Sequence, residues 1–391
     1  MTHNILSNLD RHEPTLAICY DFDKTLSTDD MQAHGFIPDV GEEIPEFWKS
    51  SNSFAELNNM DQILSYMYKM KEASSGKLLF TKDVLTNYGK SIMFFQGVES
   101  WFQRINKYGE QFGVKIEHYI ISSGLKEMIE GTSIGKEFKK IYATSFLYDN
   151  HGVAVWPAQV VNYTNKTQFL FRISKGILDI NSPKVNDYMD SDMVPIPFRN
   201  MVYIGDSATD IPCMKLVNVK GGFSIGVYNP NKNQESVVKM MRENRISYFT
   251  QADYRENSDL DQLLKLIIEK VSVNEKLVVW SQKNKVEADV FPLTDTEKKL
   301  QTEELFEQLN KCKTYTQGID LVGQISQYRR LNDWSQEDLN KLVKIASDNP
   351  VINNLIESEE FIKLFFDGLL NKIEVTDNNL QDLLELEKTI S

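Results

Sequence analysis

The stretch YDFDKTLS, residues 20–27, sets two aspartates one phenylalanine apart and follows them with a lysine, a threonine and a leucine. It closes the apolar run TLAICY, residues 15–20, which is short, rich in strand-compatible side chains and bounded by polar residues. The pattern predicts a buried strand ending at Asp21. Two further segments have the same shape: IEHYIISSG, ending near Ser122, and NMVYIGDS, ending near Asp206. A fourth strand is expected in GGFSIGVY (221–228) and a fifth in RISYFT (245–250). The intervals leave room for helices, such as GVESWFQRINKYGEQF before the second strand and TNKTQFLFRISKGIL before the third. Strand and helix alternating in this way imply an α/β core, a doubly wound, Rossmann-like parallel sheet with helices on both faces.

Two stretches break that alternation. Between Ser27 and about Lys115, SFAELNNMDQILSYMYKMKEASS carries apolar residues at helical spacing (Phe54, Leu57, Ile63, Leu64, Met67), and FTKDVLTNYGKSIMFF continues the pattern without a convincing strand. This is a helical insertion placed directly after the aspartates. From about Glu275 onward TDTEKKLQTEELFEQL, TQGIDLVGQISQYRRL, SQEDLNKLVKIAS, SEEFIKLFFDGLL and TDNNLQDLLELEKTI form five candidate helices, several opened by a capping-box pattern. The expected organisation is therefore an α/β core over 1–26 and 116–274, a helical insertion over 27–115 and an all-helical C-terminal domain over 275–391.

Composition narrows the function classes. At 391 residues the chain exceeds one ordinary core, so more than one domain is expected. A formal charge of −13 argues against nucleic acid or an anionic membrane held by a general field, while a local basic pocket for a phosphate stays compatible. No run approaches a membrane span, and MTHNILSNLDRHEPT lacks the apolar centre of a signal peptide, so a cytoplasmic location is expected. Cys19, Cys213 and Cys312 are too widely spaced for a zinc site and odd in number, hence expected as reduced thiols.

Ligands of open parallel sheets bind at the carboxyl ends of the strands. Three strand ends here carry Asp21 and Asp23, Ser122 and Ser123, and Asp206, with a lysine, Lys166 or Lys175, between the second and third in chain order. Taken alone, a pair of aspartates after a strand reads as an Asx turn, and any one lysine as a solvated surface group. Their convergence on one sheet edge is the stronger signal. The order DFDKT, IISSG, NKTQFL, GDSATD resembles the four motifs of the haloacid-dehalogenase-like superfamily. It is most similar to the phosphoserine-phosphatase-like branch, whose helical cap falls between the first and second motifs. The resemblance covers residues 14–274; the tail has no counterpart in the family's minimal core.

The resemblance implies a Mg2+-dependent phosphatase, and the chemistry of the residues agrees with it. Asp21 is the expected nucleophile, forming an aspartyl phosphate, and Asp23 the general acid and base. The expected Mg2+ ligands are the Asp21 carboxylate, the Asp23 main-chain carbonyl and the Asp206 carboxylate. Thr25 and Ser122 are expected to donate hydrogen bonds to the phosphoryl oxygens and Lys166 to neutralise their charge, with Asp210 behind them orienting the lysine or metal waters. The presence of Asp23 favours phosphoryl transfer over dehalogenation. His34, Phe36, Phe47 and Trp48 either line the pocket roof or fill the cap's own core. The expected partner is a small phosphorylated substrate. A mutase outcome and an interaction role for 275–391, through self-association or a protein partner, are the competing readings.

Overall fold

The structure is a computed structural model that describes residues 13–189, 194–290, 295–328 and 334–390. Residues 1–12 of the expected core and 329–331 of the segment TQGIDLVGQISQYRRL lie outside the described residues. Two compact units result, Met1–Asn284 and Lys285–Ser391.

In the first unit, seven strands form one sheet: β1 (Thr15–Tyr20), β2 (Lys115–Leu125), β3 (Lys140–Tyr148), β4 (Ala154–Gln159), β5 (Met201–Gly205), β6 (Phe223–Tyr228) and β7 (Tyr248–Gln251), in the order β4-β3-β2-β1-β5-β6-β7. All neighbours pair in parallel except β3 and β4. β1 is flanked on both edges and covered on both faces, which is why its sequence is apolar without alternation. Its period of two still sorts the layers: Leu16, Ile18 and Tyr20 join a core with Trp101 and Phe102. Ala17 and Cys19 join another with Phe169, Leu170 and Met214.

Between β1 and β2 run α1 (Phe36–Asp39), α2 (Ile44–Leu57), α3 (Gln62–Ser74), α4 (Lys82–Tyr88) and α5 (Val98–Gln111). The periodic segment 53–75 is two helices, because Asn59 turns left-handed at φ 48° and the Asp61 carboxylate caps a new start, accepting from Ile63 N at 2.9 Å and Leu64 N at 3.1 Å. α5 packs on the sheet, with Trp101 Nε1 donating to Tyr20 Oη at 2.9 Å. The expected 27–115 insertion thus contains a helix that covers the sheet. β3 and β4 were not anticipated. Their hairpin reaches the insertion through an antiparallel bridge between Thr81 and Val153 and a bond from Ala154 N to Phe80 O of 2.9 Å.

α6 (Lys126–Glu130) follows β2, α7 (Lys166–Ser174) precedes β5, α8 (Ile211–Val219) joins β5 to β6, and α9 (Glu235–Arg242) joins β6 to β7. α10 (Asp259–Val290) is one continuous 32-residue helix, so a division drawn at 275 falls inside it. Leu260, Leu264, Ile267, Ile268 and Val271 bury its first half in the core that covers β1.

The second unit holds α11 (Asp295–Asn310), α12 (Tyr315–Tyr328), α13 (Gln336–Asp348), α14 (Pro350–Ser358), α15 (Glu360–Leu370) and α16 (Leu380–Ile390) around a separate apolar core. The capping box expected at Ser335 is present with Asp338. α14, opened by Pro350 and capped by Asn349, is the helix that the sequence reading passed over. Among the described residues no helix is long and apolar enough to cross a membrane.

Candidate active site

The chain leaves β1 at Asp21, whose amide donates to Ile204 O of β5 at 2.9 Å. The amides of Thr25, Leu26 and Ser27 then all turn back onto Phe22 O, at 3.3, 2.9 and 3.1 Å, while Lys24 takes a left-handed φ of 58°. This tight loop puts Asp21, Asp23 and Thr25 at the carboxyl edge of the central strand. Asp206 and Asp210 follow β5, the neighbour on one side, and Ser122 lies near the end of β2, the neighbour on the other.

Lys166, at the start of α7, joins these segments. It is fully buried, and its Nζ lies 3.1 Å from Asp21 Oδ1 and 2.8 Å from Asp210 Oδ1. Burial opposes its charge, yet Asp21 and Asp210 outweigh burial and push its pKa up. Tyr203 Oη also donates to Asp210 Oδ1 at 2.8 Å. Gly205 lets the chain pass this cluster, because a Cβ there would stand 2.5 Å from Asp210 Oδ2. Lys175, the competing lysine, donates instead to the carbonyls of Val185 and Asp187 at 2.7 and 2.6 Å.

Carboxylate oxygens of Asp21, Asp206 and Asp210 all lie within 4.8 Å of one another. Burial and then Asp210 raise Asp21 to about 6, against the opposing pull of Lys166. Burial, with Asp210 and Asp21 beside it, also holds Asp206 well above the usual range. Three crowded carboxyls sharing one lysine form an all-oxygen donor set that a hard divalent cation fits. Asp210, expected only behind the ligands, has its carboxylate inside this group.

Asp23 stands apart from the cluster. Its Oδ1 accepts from Met31 N at 2.8 Å, and burial, then Asp30 and Asp21, raise it well above the usual range. Thr25 is fully buried, and its Oγ1 has no hydrogen-bond partner among the described residues. Ser122 is also buried, its Oγ accepting from Gly124 N at 3.0 Å across a register shift in the β2–β3 ladder that frees Ser123 and Gly124. Ser123 contributes its carbonyl, which accepts from Tyr66 Oη of α3 at 2.7 Å. Asn162 Nδ2, four residues before Lys166, donates to Asp61 Oδ2 at 2.8 Å. The insertion is therefore closed over the strand ends by a contact on each side. Phe36 and Phe47 are buried in its core and Trp48 packs against that core.

Tyr66, Asn162, Tyr203 and Tyr254 escaped the sequence reading. Tyr254, beyond β7, donates to Thr25 O at 2.8 Å from 229 positions away. No local pattern marks such residues; only the folded topology brings them to the site.

A family model described as haloacid dehalogenase-like hydrolase matches residues 18–215. A curated protein of Borreliella burgdorferi, described as an uncharacterized protein, is 25% identical over 304 residues, 68% of this chain and all of that one. Among solved structures, a HAD family hydrolase of Salmonella enterica serovar Typhi is 17% identical with a TM-score of 0.44, over 64% of this chain and 71% of that chain. A probable phosphoserine phosphatase of Vibrio cholerae is 12% identical with a TM-score of 0.44, over 70% and 73%.

Proposed function

Since the chain belongs to the haloacid dehalogenase-like hydrolases, we propose that it is a Mg2+-dependent phosphatase of a small phosphorylated metabolite, acting through an aspartyl-phosphate intermediate. The observation that carries this reading is the convergence of Asp21, Lys166, Asp206 and Asp210 from three separate chain segments onto one strand edge, with the unpartnered Thr25 hydroxyl beside them. We assign the chain to the phosphoserine-phosphatase-like branch because its helical insertion follows β1. In this reading 1–26 and 116–274 are the catalytic core, 27–115 the cap and 275–391 the accessory helical domain. Three unbridged cysteines suit a reducing cytoplasm.

Asp21 attacks phosphorus as the bond to the leaving oxygen breaks, and Asp23 gives that oxygen its proton. Burial beside Asp30 and Asp21 favours the protonated form of Asp23 at the start. Water then attacks the aspartyl phosphate, Asp23 takes its proton back, and phosphate leaves with Asp21 restored. Thr25 Oγ1 and Ser122 Oγ donate to the phosphoryl oxygens, and Lys166 offsets their charge. The Asp21 and Asp206 carboxylates and the Asp23 main-chain carbonyl would hold Mg2+, with Asp210 beside them, and the ion would supply charge neutralisation between the anionic nucleophile and the phosphate. The closed insertion shields the reacting atoms from bulk water and restricts entry to small esters.

A panel of phosphorylated metabolites assayed for phosphate release with Mg2+, beside Asp21→Asn, tests the reading. Mg2+-dependent release that falls by about 10³-fold or more in the variant is expected. Retained turnover in Asp21→Asn rules out the nucleophile assignment, and a new phosphate ester in place of free phosphate points to a mutase.

A further inference from the structure

Thr25 carries a hydroxyl assigned to the phosphate, yet its own loop grips it weakly. The Thr25 amide reaches Phe22 O at 3.3 Å, the longest of the three bonds that close the loop, and the hydroxyl has no partner among the described residues. The preceding Lys24 holds a left-handed φ of 58°, which costs a side-chain-bearing residue strain. Such a conformation persists only where the surroundings over-determine it. The Thr25–Leu26 peptide is the point at which they do. Its N–H donates to Phe22 O at 2.9 Å within the loop, and its C=O accepts from Tyr254 Oη at 2.8 Å from across the fold. A planar peptide held on both sides turns as one unit, so Tyr254 sets the orientation of the residue from which the free hydroxyl springs.

Tyr254 is itself braced. It is fully buried, and its ring stands edge-on to Trp101 of α5 with 5.1 Å between centroids. Its amide donates to Gln96 O at 2.9 Å, and its carbonyl accepts from Arg104 Nη2 at 2.7 Å. Arg104 pairs in turn at 3.1 Å with Asp261, a fully buried carboxylate in the first turn of α10 that also accepts from Asn257 N at 2.9 Å and meets Lys265 at 2.8 Å. The chain entering α5 comes close enough to close this joint only because residue 97 is glycine: φ is 86° there, and a Cβ would run into Arg255 N. A buried carbonyl needs some donor, and on stability alone a water would serve Thr25 O as well as a phenol. A donor tied to α5 and α10 does more, because it fixes where that carbonyl points.

We infer that Tyr254 is a positioning residue for phosphate binding: braced by Arg104 and Asp261, it holds the Thr25 peptide so that the Thr25 hydroxyl faces the phosphoryl group. The inference rests on the phosphatase reading and extends the site to the segment beyond β7.

Titration calorimetry with orthovanadate, a phosphate analogue, in the presence of Mg2+ tests it without turnover. Thr25→Val is expected to weaken vanadate binding about tenfold or more, and Tyr254→Phe, which removes one hydrogen bond, about three- to tenfold. Because Tyr254 acts through Thr25, its effect is expected to shrink to less than about twofold in the Thr25→Val background, a coupling that a merely structural role does not produce. Equal losses in the two backgrounds overturn the inference, and so does unchanged affinity in Tyr254→Phe. Equal binding by wild type and Thr25→Val also overturns it and leaves the rest of the phosphatase reading in place. Failure of the wild type to bind vanadate takes down both readings. If Tyr254→Phe does not fold, Arg104→Gln decides in its place: loosening the brace is expected to weaken vanadate about two- to fourfold, and only where Thr25 keeps its hydroxyl.

Discussion

At the scale of single residues, Thr25 separates function from stability most cleanly. Its hydroxyl is buried and makes no internal bond. Thr25→Val keeps the shape and removes a group that the folded protein does not itself use, so the stability change is expected within about 1 kcal/mol or favourable. If that hydroxyl donates to the phosphate, kcat/KM should fall about 10²- to 10³-fold, the loss of one well-placed donor. Denaturant unfolding beside steady-state kinetics checks both halves, and unchanged kinetics would remove Thr25 from the site. Asp21, Asp23, Ser122 and Asp206 could be picked out as candidates from the chain because each lies at the end of a strand within a short motif. The choice between Lys166 and Lys175 could not be made there, since a buried and a half-buried lysine look alike in sequence and only the ion pairs to Asp21 and Asp210 distinguish them.

At the scale of elements, what was legible was periodic and what was missed was cross-chain. β1, β2 and β5 announce themselves as apolar runs ending in polar residues. β3 and β4 do not, because β4 is an edge strand with Pro157 in its ladder and alternates only weakly between buried and exposed. The contact of α3 with β2 through Tyr66 and Ser123 O was equally invisible. That bond makes a testable latch: Tyr66→Phe removes one hydrogen bond of about 0.5–1.5 kcal/mol from the closed form. KM for a small substrate should rise roughly 2- to 12-fold for that energy if closure is what the bond favours, with kinetics under saturation affected less. An unchanged KM would mean that the rest of the insertion closes without it.

The joint of β1, β2 and α5 carries a second element-scale prediction. Trp101 Nε1 donates to Tyr20 Oη, Tyr20 Oη pairs with His118 Nδ1 at 3.0 Å, and His118 Nε2 meets Asn106 Oδ1 at 2.9 Å. The acceptor on Asn106 fixes the proton on Nε2, so His118 is held neutral, and burial lowers its pKa from 6.5 to about 3. A histidine with a depressed pKa takes up its proton first in the unfolded chain. Its contribution is therefore complete above pH 6.5 and is lost progressively as pH falls from 6.5 toward 3. The slope is about 1.4 kcal/mol per pH unit, or about 2 kcal/mol by pH 5. The raised carboxyls of Asp21, Asp23 and Asp206 act in the opposite sense, so the useful quantity is the difference between wild type and His118→Gln. The variant should lose about 2 kcal/mol less than wild type between pH 7 and pH 5 in urea titrations, and parallel curves would refute the neutral-histidine joint.

At the scale of the molecule, the apolar clusters among the described residues divide between the two units. Two described clusters lie wholly within 16–271 and serve the two faces of the sheet, while the third runs from Phe306 to Leu386. The existence of a helical tail was legible from its capping boxes and leucine spacing. Its starting point was not, because α10 is unbroken across 275 and a continuous helix gives no sequence signal where one packing environment ends. Separate cores predict separate unfolding events, since each unit can lose its buried surface without the other's. Mg2+ provides the label that tells them apart. The carboxylates that suit it, Asp21, Asp206 and Asp210, all belong to the first unit. A cation that binds only the folded form stabilises it by about 2.7 kcal/mol at a hundredfold excess over Kd, which for a domain of this size is a rise of roughly 5–10 °C. Scanning calorimetry should therefore show two transitions, of which Mg2+ moves one upward and leaves the other in place, and Asp206→Asn should abolish most of that shift. A single transition that moves as a whole would mean that the two units fold as one cooperative body, and removal of the tail would then be expected to cost the first unit its Mg2+-dependent stabilisation.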